Sequence, residues 1–366
     1  MITVNELFSG IGAQRKALLR LGIPHEVVGV CEIDKYAIQS YEAIFGETYN
    51  YGDICTAPRL DYADLWTYSF PCQDISVAGN QKGINENTRS GLLYQVQRLL
   101  EVAKNEGTLP KYLLLENVKN LVGKKFKSQF DSWLFYLDEL GYDTYWQVLN
   151  SKDYGIPQNR ERVFAISIRK DLNQSFEFLK AQELTIRLKD VLEDEVDEKF
   201  YISQDKVQNL IKTLENKDNY VVEAKIQQVG NIPKEIINDN ERQRRVYSDK
   251  GLSPVILARS DSPKILCVGS LEMKASQQVR RVYSSNGLCP TLDTMQGGHR
   301  QPKVIEGLRI RKLTPLECWR LMGFDDEDFY KAQQSGVSNT QLYKQAGNSI
   351  VVNVLEKIFS NLLLED

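Results

Sequence analysis

Over roughly its first 170 residues the chain alternates short apolar runs with segments of helical period, and that alternation restricts its fold more than any other feature. Runs at 2–8, 27–31, 65–70, 112–115, 145–149 and 163–168 read as strands. Between them, 13–21, a stretch through Ala37, Tyr41 and Ile44, 92–103 and 130–140 read as helices. Buried-type strands separated by helices predict a mostly parallel sheet covered on both faces, with ligands bound beyond the carboxyl ends of the strands. From about 172 to 306 the pattern breaks into Asn-, Gln-, Ser- and Gly-rich sequence with short β-branched runs, expected to form a smaller irregular, β-rich domain. Inside it, Arg244-Arg245-Val246-Tyr247-Ser248 with Gly251, Leu252 and Pro254 recurs 36 residues later as Arg280-Arg281-Val282-Tyr283-Ser284 with Gly287, Leu288 and Pro290. Two copies are too few for a solenoid and fit a duplicated strand-turn-strand unit within about 227–305. The expected division is 1–175, 176–340 and a C-terminal helix, 341–366, that returns to the first domain.

A chain of 366 residues can bury a large core without staples. Its six cysteines include no C-x-x-C pair, and only His25 and His299 could join them as ligands, so neither a metal site nor a disulfide framework is expected. No leader pattern or membrane-length apolar run is visible, so a cytoplasmic chain with no membrane partner is expected. The net charge of −3 is unevenly spread. Residues 221–312 hold 16 Lys and Arg against 9 Asp and Glu, a local +7, which leaves −10 for the rest. A basic segment in an acidic chain suits a polyanion-facing surface as well as it suits a solvated face.

Five short features stand at strand boundaries. Phe8-Ser9-Gly10-Ile11-Gly12 is a glycine turn between strand and helix, but Arg15 replaces the third glycine of the dinucleotide fingerprint and disfavours a nicotinamide cofactor. Glu32 ends the second strand, where an acid can accept hydrogen bonds from a ribose. Pro71-Cys72-Gln73 opens a polar stretch punctuated by Gly79, Gly83 and Gly91 and carrying Lys82 and Arg89, the composition of a functional lid beginning at a nucleophile. Glu116-Asn117-Val118 ends the apolar run 112–115 on the same expected sheet edge, where an acid could donate a proton or hydrogen bond. Finally, Gln158-Asn159-Arg160-Glu161-Arg162 precedes the last strand with two arginines suited to anion binding or to ion pairs. Taken one at a time, each is as well explained by strand-end packing.

In this order the motifs resemble those of the bacterial DNA cytosine-5 methyltransferases. Further matches are Gly52-Asp53-Ile54, Arg311-Lys312-Leu313-Thr314-Pro315 with Glu317, Arg320 and Gly323-Phe324, and Gln345-Ala346-Gly347-Asn348-Ser349-Ile350. The likeness spans Val4 to Leu355, and its wording at 10–18, 67–74 and 88–93 is nearest the CpG-modifying branch. The resemblance implies a Rossmann-like S-adenosylmethionine-dependent domain joined to a target-recognition domain, with double-stranded DNA as partner and S-adenosylhomocysteine as product. It implies Cys72 as nucleophile, Glu116 and Arg162 on the flipped cytosine, and Arg160 in support. Phe8, Gly10, Gly12, Glu32, Ile33, Asp53, Ile54, Pro71, Leu92, Asn348 and Ser349 would form the cofactor site. DNA contacts are expected from Gln73, Ser76, Ala78, Lys82 and Arg89, and from Gln296, His299 and Arg300 in the recognition segment.

Departures from the family pattern are Ala13 in place of a second glycine, Ile33 in place of an aromatic that would stack on adenine, and Ala78 in place of a small polar residue. The recognition loop after Pro290-Thr291-Leu292 also has its own chemistry, so CpG specificity is not implied. A monomer in a restriction-modification or phage modification system is expected, acting on DNA of a bacterial nucleoid, with a cognate endonuclease as a further partner. An RNA cytosine-5 methyltransferase and a non-catalytic DNA-binding module are the competing readings.

Overall fold

The computed structural model of the chain describes residues 1–71, 75, 83–84, 89–201, 228–231, 245–247, 267–270, 281–285, 287–295, 301–306 and 309–364. The N-terminal part alternates β1 (Ile2–Leu7), α1 (Ala13–Arg20), β2 (His25–Cys31), α2 (Lys35–Phe45) and β3 (Leu65–Tyr68), then α3 (Leu93–Glu106), β4 (Tyr112–Val118), α4 (Lys127–Glu139), β5 (Tyr142–Asn150), β6 (Gln158–Asn159) and β7 (Glu161–Arg169). Six of these strands form one sheet in the order β2-β1-β3-β4-β7-β5. β2, β1, β3 and β4 are parallel, while β7 runs antiparallel to both β4 and β5. The chain leaves β1 for β2 on one side and returns past β1 to β3 on the other. The strand order therefore switches at β1 and β3, the place where open α/β sheets form a crevice.

Period-two alternation sorts the strand side chains between two cores. Val4, Leu114, Phe164, Ile166 and Ile168 face one core, and Leu7, Leu113, Leu115, Val163 and Ala165 face the other. The first core is closed by α1 and by helices from the far end of the chain, namely α5 (Pro315–Arg320), α6 (Asp326–Gln334), α7 (Asn339–Asn348) and α8 (Val352–Leu363). α8 packs on α1, and α6 packs on α2. The second core is covered by α3 and α4 through Leu93, Val96, Leu99, Phe130, Trp133 and Leu137.

The remaining strands are β8 (Gln228–Asn231), β9 (Arg245–Tyr247), β10 (Cys267–Ser270), β11 (Arg281–Ser284), β12 (Cys289–Pro290), β13 (Lys303–Glu306) and β14 (Arg309–Lys312). The two repeat copies share a backbone plan. β8 pairs antiparallel with β9, and β10 with β11, each with an irregular step just before Gly230 or Gly269. Their second strands are 36 positions apart (Arg245 against Arg281) but their first strands 39 (Gln228 against Cys267), so the unit recurs with its connection changed in length. β11 continues into a four-stranded sheet ordered β10-β11-β13-β14.

After β14 the chain turns into α5 through a capping box. The Thr314 hydroxyl accepts from the Glu317 amide at 3.2 Å, and the Glu317 carboxylate accepts from the Thr314 amide at 2.8 Å. The same carboxylate takes a bidentate pair of bonds from Arg311, both at 2.8 Å, with both side chains wholly buried. A buried pair with every oxygen used in this way fixes register, since either residue left alone would be an uncompensated charge.

Candidate active site

An open cleft of about 820 Å3 lies along the carboxyl ends of β1, β2, β3 and β4. Its floor begins at the glycine turn. Phe8 and Gly10 both have left-handed backbones, φ 59° and 56°. Phe8 is the costly one, since a side chain in that region is sterically disfavoured and persists where surroundings over-determine it. Its amide donates to the Cys31 carbonyl at 2.8 Å, which ties the turn to the end of β2. Glu32 completes that tie by accepting from the amides of Gly10 at 2.9 Å and Asp34 at 2.8 Å. Asn50 braces the acid from below, bonding the Glu32 amide and carbonyl and the Gly52 amide. Partial burial pushes the Glu32 carboxyl up from the usual carboxylate range, against the pull of those amides.

Phe8, Gly10, Glu32, Ile33, Asp53, Ile54, Pro71, Leu92, Asn348 and Ser349 all line this cleft. Gly12 is not among its lining residues. It stands at the N-cap of α1 with φ 78°, and a Cβ there would fall 2.5 Å from the Phe45 ring and 2.7 Å from Tyr41. Gly12 serves the close packing of α1 on α2. Beneath the turn, Glu6 supplies the cap that Gly12 lacks, accepting from the Arg15 amide at 2.9 Å and the Tyr41 hydroxyl at 2.6 Å. Burial pushes the Glu6 carboxyl up to about 7.

The other half of the cleft is built by β4 and β7. Antiparallel register pairs Val118 with Arg162 and Glu116 with Phe164. That brings Arg162 Nε to 3.2 Å from Glu116 Oε1, with the two side chains 17% and 7% exposed. The Ser69 hydroxyl donates to the second Glu116 oxygen, and Asn117 Nδ2 donates to the Phe70 carbonyl at 2.9 Å. Cys72 lies outside the described residues, as do Gln73, Ser76, Ala78, Lys82, Gln296, His299 and Arg300. Arg89 opens the short 3-10 turn Arg89–Leu92, with its side chain outside them.

Arg160 also lines the cleft, but its guanidinium donates to three carbonyls, those of Leu292 at 3.0 Å, Gly347 at 3.1 Å and Ser349 at 2.8 Å. Gln158 does similar joining work, donating to Leu321 O at 2.8 Å and accepting from the Leu292 amide at 3.2 Å, while β6 pairs with β12. At this seam a Cβ on Gly347 would come 1.9 Å from the Asp293 carbonyl, so only glycine permits the approach. The segment after β12 is thus bolted to the six-stranded sheet and to the α7 terminus through one strip of sequence.

Ser69, Asn117 and Thr291, which the sequence motifs contain without a role of their own, and Lys344 also line the cleft. Ser69 and Asn117 flank residues already singled out and carry hydrogen-bonding groups, which was a usable signal. Lys344, paired with Asp34 at 2.6 Å, had none, because the two are 310 positions apart.

A family model described as C-5 cytosine-specific DNA methylase matches residues 2–363. The chain belongs to the DNA cytosine-5 methyltransferases. The type II methyltransferase M2.ScrFI of Lactococcus lactis subsp. cremoris is 35% identical, covering 99% of both chains. The orphan methyltransferase M.SPRI of Bacillus phage SPR is also 35% identical, over 99% of this chain and 97% of its own. The type II methyltransferase M.HhaI of Haemophilus parahaemolyticus is 33% identical, over 98% and 93%. In fold, the chain is similar to the S. pombe Dnmt2 methyltransferase (TM-score 0.62, 20% identity, 99% and 98% covered) and to the Entamoeba histolytica methyltransferase EhMeth (0.64, 16%, 100% and 99%). DNA cytosine-5 methyltransferases use S-adenosylmethionine. The cleft of this methyltransferase suits that ligand on its own chemistry: Ser9 Oγ is buried in the lining with no hydrogen-bond partner among the described residues, and the Glu32 carboxylate faces neutral amides. Among the described residues, no helix is long and apolar enough to cross a membrane.

Proposed function

We propose that this methyltransferase flips a cytosine out of duplex DNA and methylates C5 through a covalent bond between Cys72 and C6. The observation that carries this reading is a single cleft lined by the glycine turn, Glu32, Pro71 and the Glu116–Arg162 pair, with Cys72 next in sequence after Pro71. Bound beside Phe8, Glu32, Asp53, Ile54, Leu92 and Ser349, S-adenosylmethionine supplies an electrophilic methyl group at the cleft.

The chain's own groups do the rest. The Cys72 thiolate attacks C6 and forms the C–S bond, while the electron pair of the 5,6 double bond moves towards C5. Glu116 bonds the N3 edge of the ring and favours that flow, and Arg162 holds the base from its other side. C5 takes the methyl group, loses its proton to solvent, and the returning double bond expels Cys72. None of these atoms is reachable within a stacked duplex, hence the flipping. Three of the other thiols are buried, which pushes Cys31 up to about 12 and Cys289 and Cys318 well above the usual thiol range. A nucleophilic cysteine needs the opposite environment.

Contacts to DNA are assigned to Gln73, Ser76, Ala78, Lys82 and Arg89 near the flipped base and to Gln296, His299 and Arg300 in the recognition segment. A role in restriction-modification or phage modification is in keeping with relatives that are type II and phage orphan methyltransferases. The test is methylation of duplex DNA with labelled S-adenosylmethionine. Label is expected at C5 of cytosine, and Cys72→Ala is expected to abolish it while cofactor affinity stays within twofold. A Cys72→Ala variant as active as the parent chain would refute the assignment, and label on tRNA alone would favour the RNA enzyme.

A further inference from the structure

The segment from the end of β4 to α4 does more than carry Glu116. Three of its side-chain amides reach back to the stretch containing Cys72. Asn117 Nδ2 donates to the Phe70 carbonyl at 2.9 Å, two residues before the cysteine. Asn120 Nδ2 donates to the Ile75 carbonyl at 2.5 Å, three residues after it. Gln129, on α4, takes both backbone groups of Ile84, accepting from its amide at 3.0 Å and donating to its carbonyl at 3.2 Å. The base of the stretch is closed by Ser90, whose hydroxyl donates to the Pro71 carbonyl at 2.7 Å.

These anchors are buried as well as bonded. Ile75 is 0% and Ile84 4% exposed, and both belong to the core that holds Phe126, Phe130 and Leu121. Gly83 lets the backbone in so close, since a Cβ there would sit 3.0 Å from Gln129 Oε1 and 3.3 Å from the Phe126 ring. Asn117 and Asn120 line the cleft, while Ile75 and Ile84, the residues held by Asn120 and Gln129, do not.

We propose that Asn120 and Gln129 are positioning residues that hold the backbone following the nucleophile, so that the Cys72 thiol meets the base bound by Glu116. The proposal rests on Cys72 being the nucleophile. Its physical basis is that attack requires the thiol within near-contact of C6, and a displacement of ~1 Å at such a centre costs on the order of 100-fold in rate. One chain segment bearing both the base-binding acid and the amides that flank the nucleophile keeps the two in a common frame. Asn120 is the nearer anchor and Gln129 the farther, so the former matters more.

The experiment is single-turnover trapping on duplex DNA carrying 5-fluorocytosine, with cofactor affinity and Tm measured on the same samples. Asn120→Ala is expected to slow adduct formation ~10- to 100-fold and lower kcat equally, with cofactor Kd unchanged. Gln129→Ala is expected to slow it less than tenfold. If Asn120→Ala does not fold, the isosteric Asn120→Asp, which turns an acceptor toward the Ile75 carbonyl, carries the same expectation. Parent-like adduct rates in both folded Asn120 variants would overturn the proposal. So would equal losses in adduct rate and cofactor affinity, the mark of a purely structural role. Failure of the parent chain itself to form an adduct would instead sink the Cys72 mechanism.

Discussion

On the β1–β2 side of the cleft Glu32 is held by neutral dipoles, the amides of Gly10 and Asp34, whereas on the β4–β7 side Glu116 faces a guanidinium, Arg162, at 3.2 Å. The difference follows from how each wall is made. The first is a turn at the head of parallel strands, where backbone N–H groups beyond the ladder converge on the Glu32 carboxylate. The second is an antiparallel pair, whose ladder uses up its backbone groups and leaves side chains to do the binding. A carboxylate held only by neutral dipoles keeps lone pairs to accept from a ligand that brings hydroxyl donors, such as a ribose. A carboxylate with its own counter-charge suits a ring whose electron density shifts during reaction, since acid and cation can grip opposite edges of it.

Damage to the two walls should therefore separate binding from chemistry. The largest effect is expected from Glu116→Gln, which keeps shape but loses the charge: kcat falls by ~10^2 to 10^4, the usual range for a positioned acid or base, with cofactor Kd unchanged. A cofactor defect in that variant would erase the distinction between the walls.

The next effect is on stability. Glu6, under the dipole wall, is lifted from 4.5 to about 7 by burial, so the folded chain keeps a proton there that the unfolded chain releases. Stability is then lost as pH rises from about 4.5 to 7, by about 3 kcal/mol at 1.36 kcal/mol per pKa unit. Glu6→Gln should flatten that slope in denaturant titrations at pH 5 and pH 8. An unchanged slope would mean that Glu6 has no part in it. The smallest effect is expected for Glu32→Gln. It should weaken cofactor binding ~10-fold, about one charged hydrogen bond, with kcat at saturating cofactor intact.

Much of the catalytic sheet was legible, because strand and helix periods are local properties of the chain. Residues 163–168 and 112–115 were read as strands and lie inside β7 and β4. The extension of β4 to Val118 was not legible. It exists because β7 supplies antiparallel partners as far as Arg162, which places Glu116 within the strand and not beyond its end. The two arginines of the 160–162 strip were open between anion binding and ion pairing. Arg162 pairs with Glu116, and Arg160 binds three carbonyls from residues 132 to 189 positions away.

The amino-acid sequence by itself determined the α/β alternation, the glycine turn after β1, the strand-end acids and the ordered motifs that mark a DNA cytosine-5 methyltransferase. All of these depend on residue type and short spacing. Tertiary structure alone decided that β7 reverses, that Gly12 and Gly347 exist for close approach, and that amides from Asn117 to Gln129 brace the chain on either side of Cys72. Each of those depends on groups far apart in the chain arriving within hydrogen-bond or van der Waals reach, and the local pattern does not encode such distances.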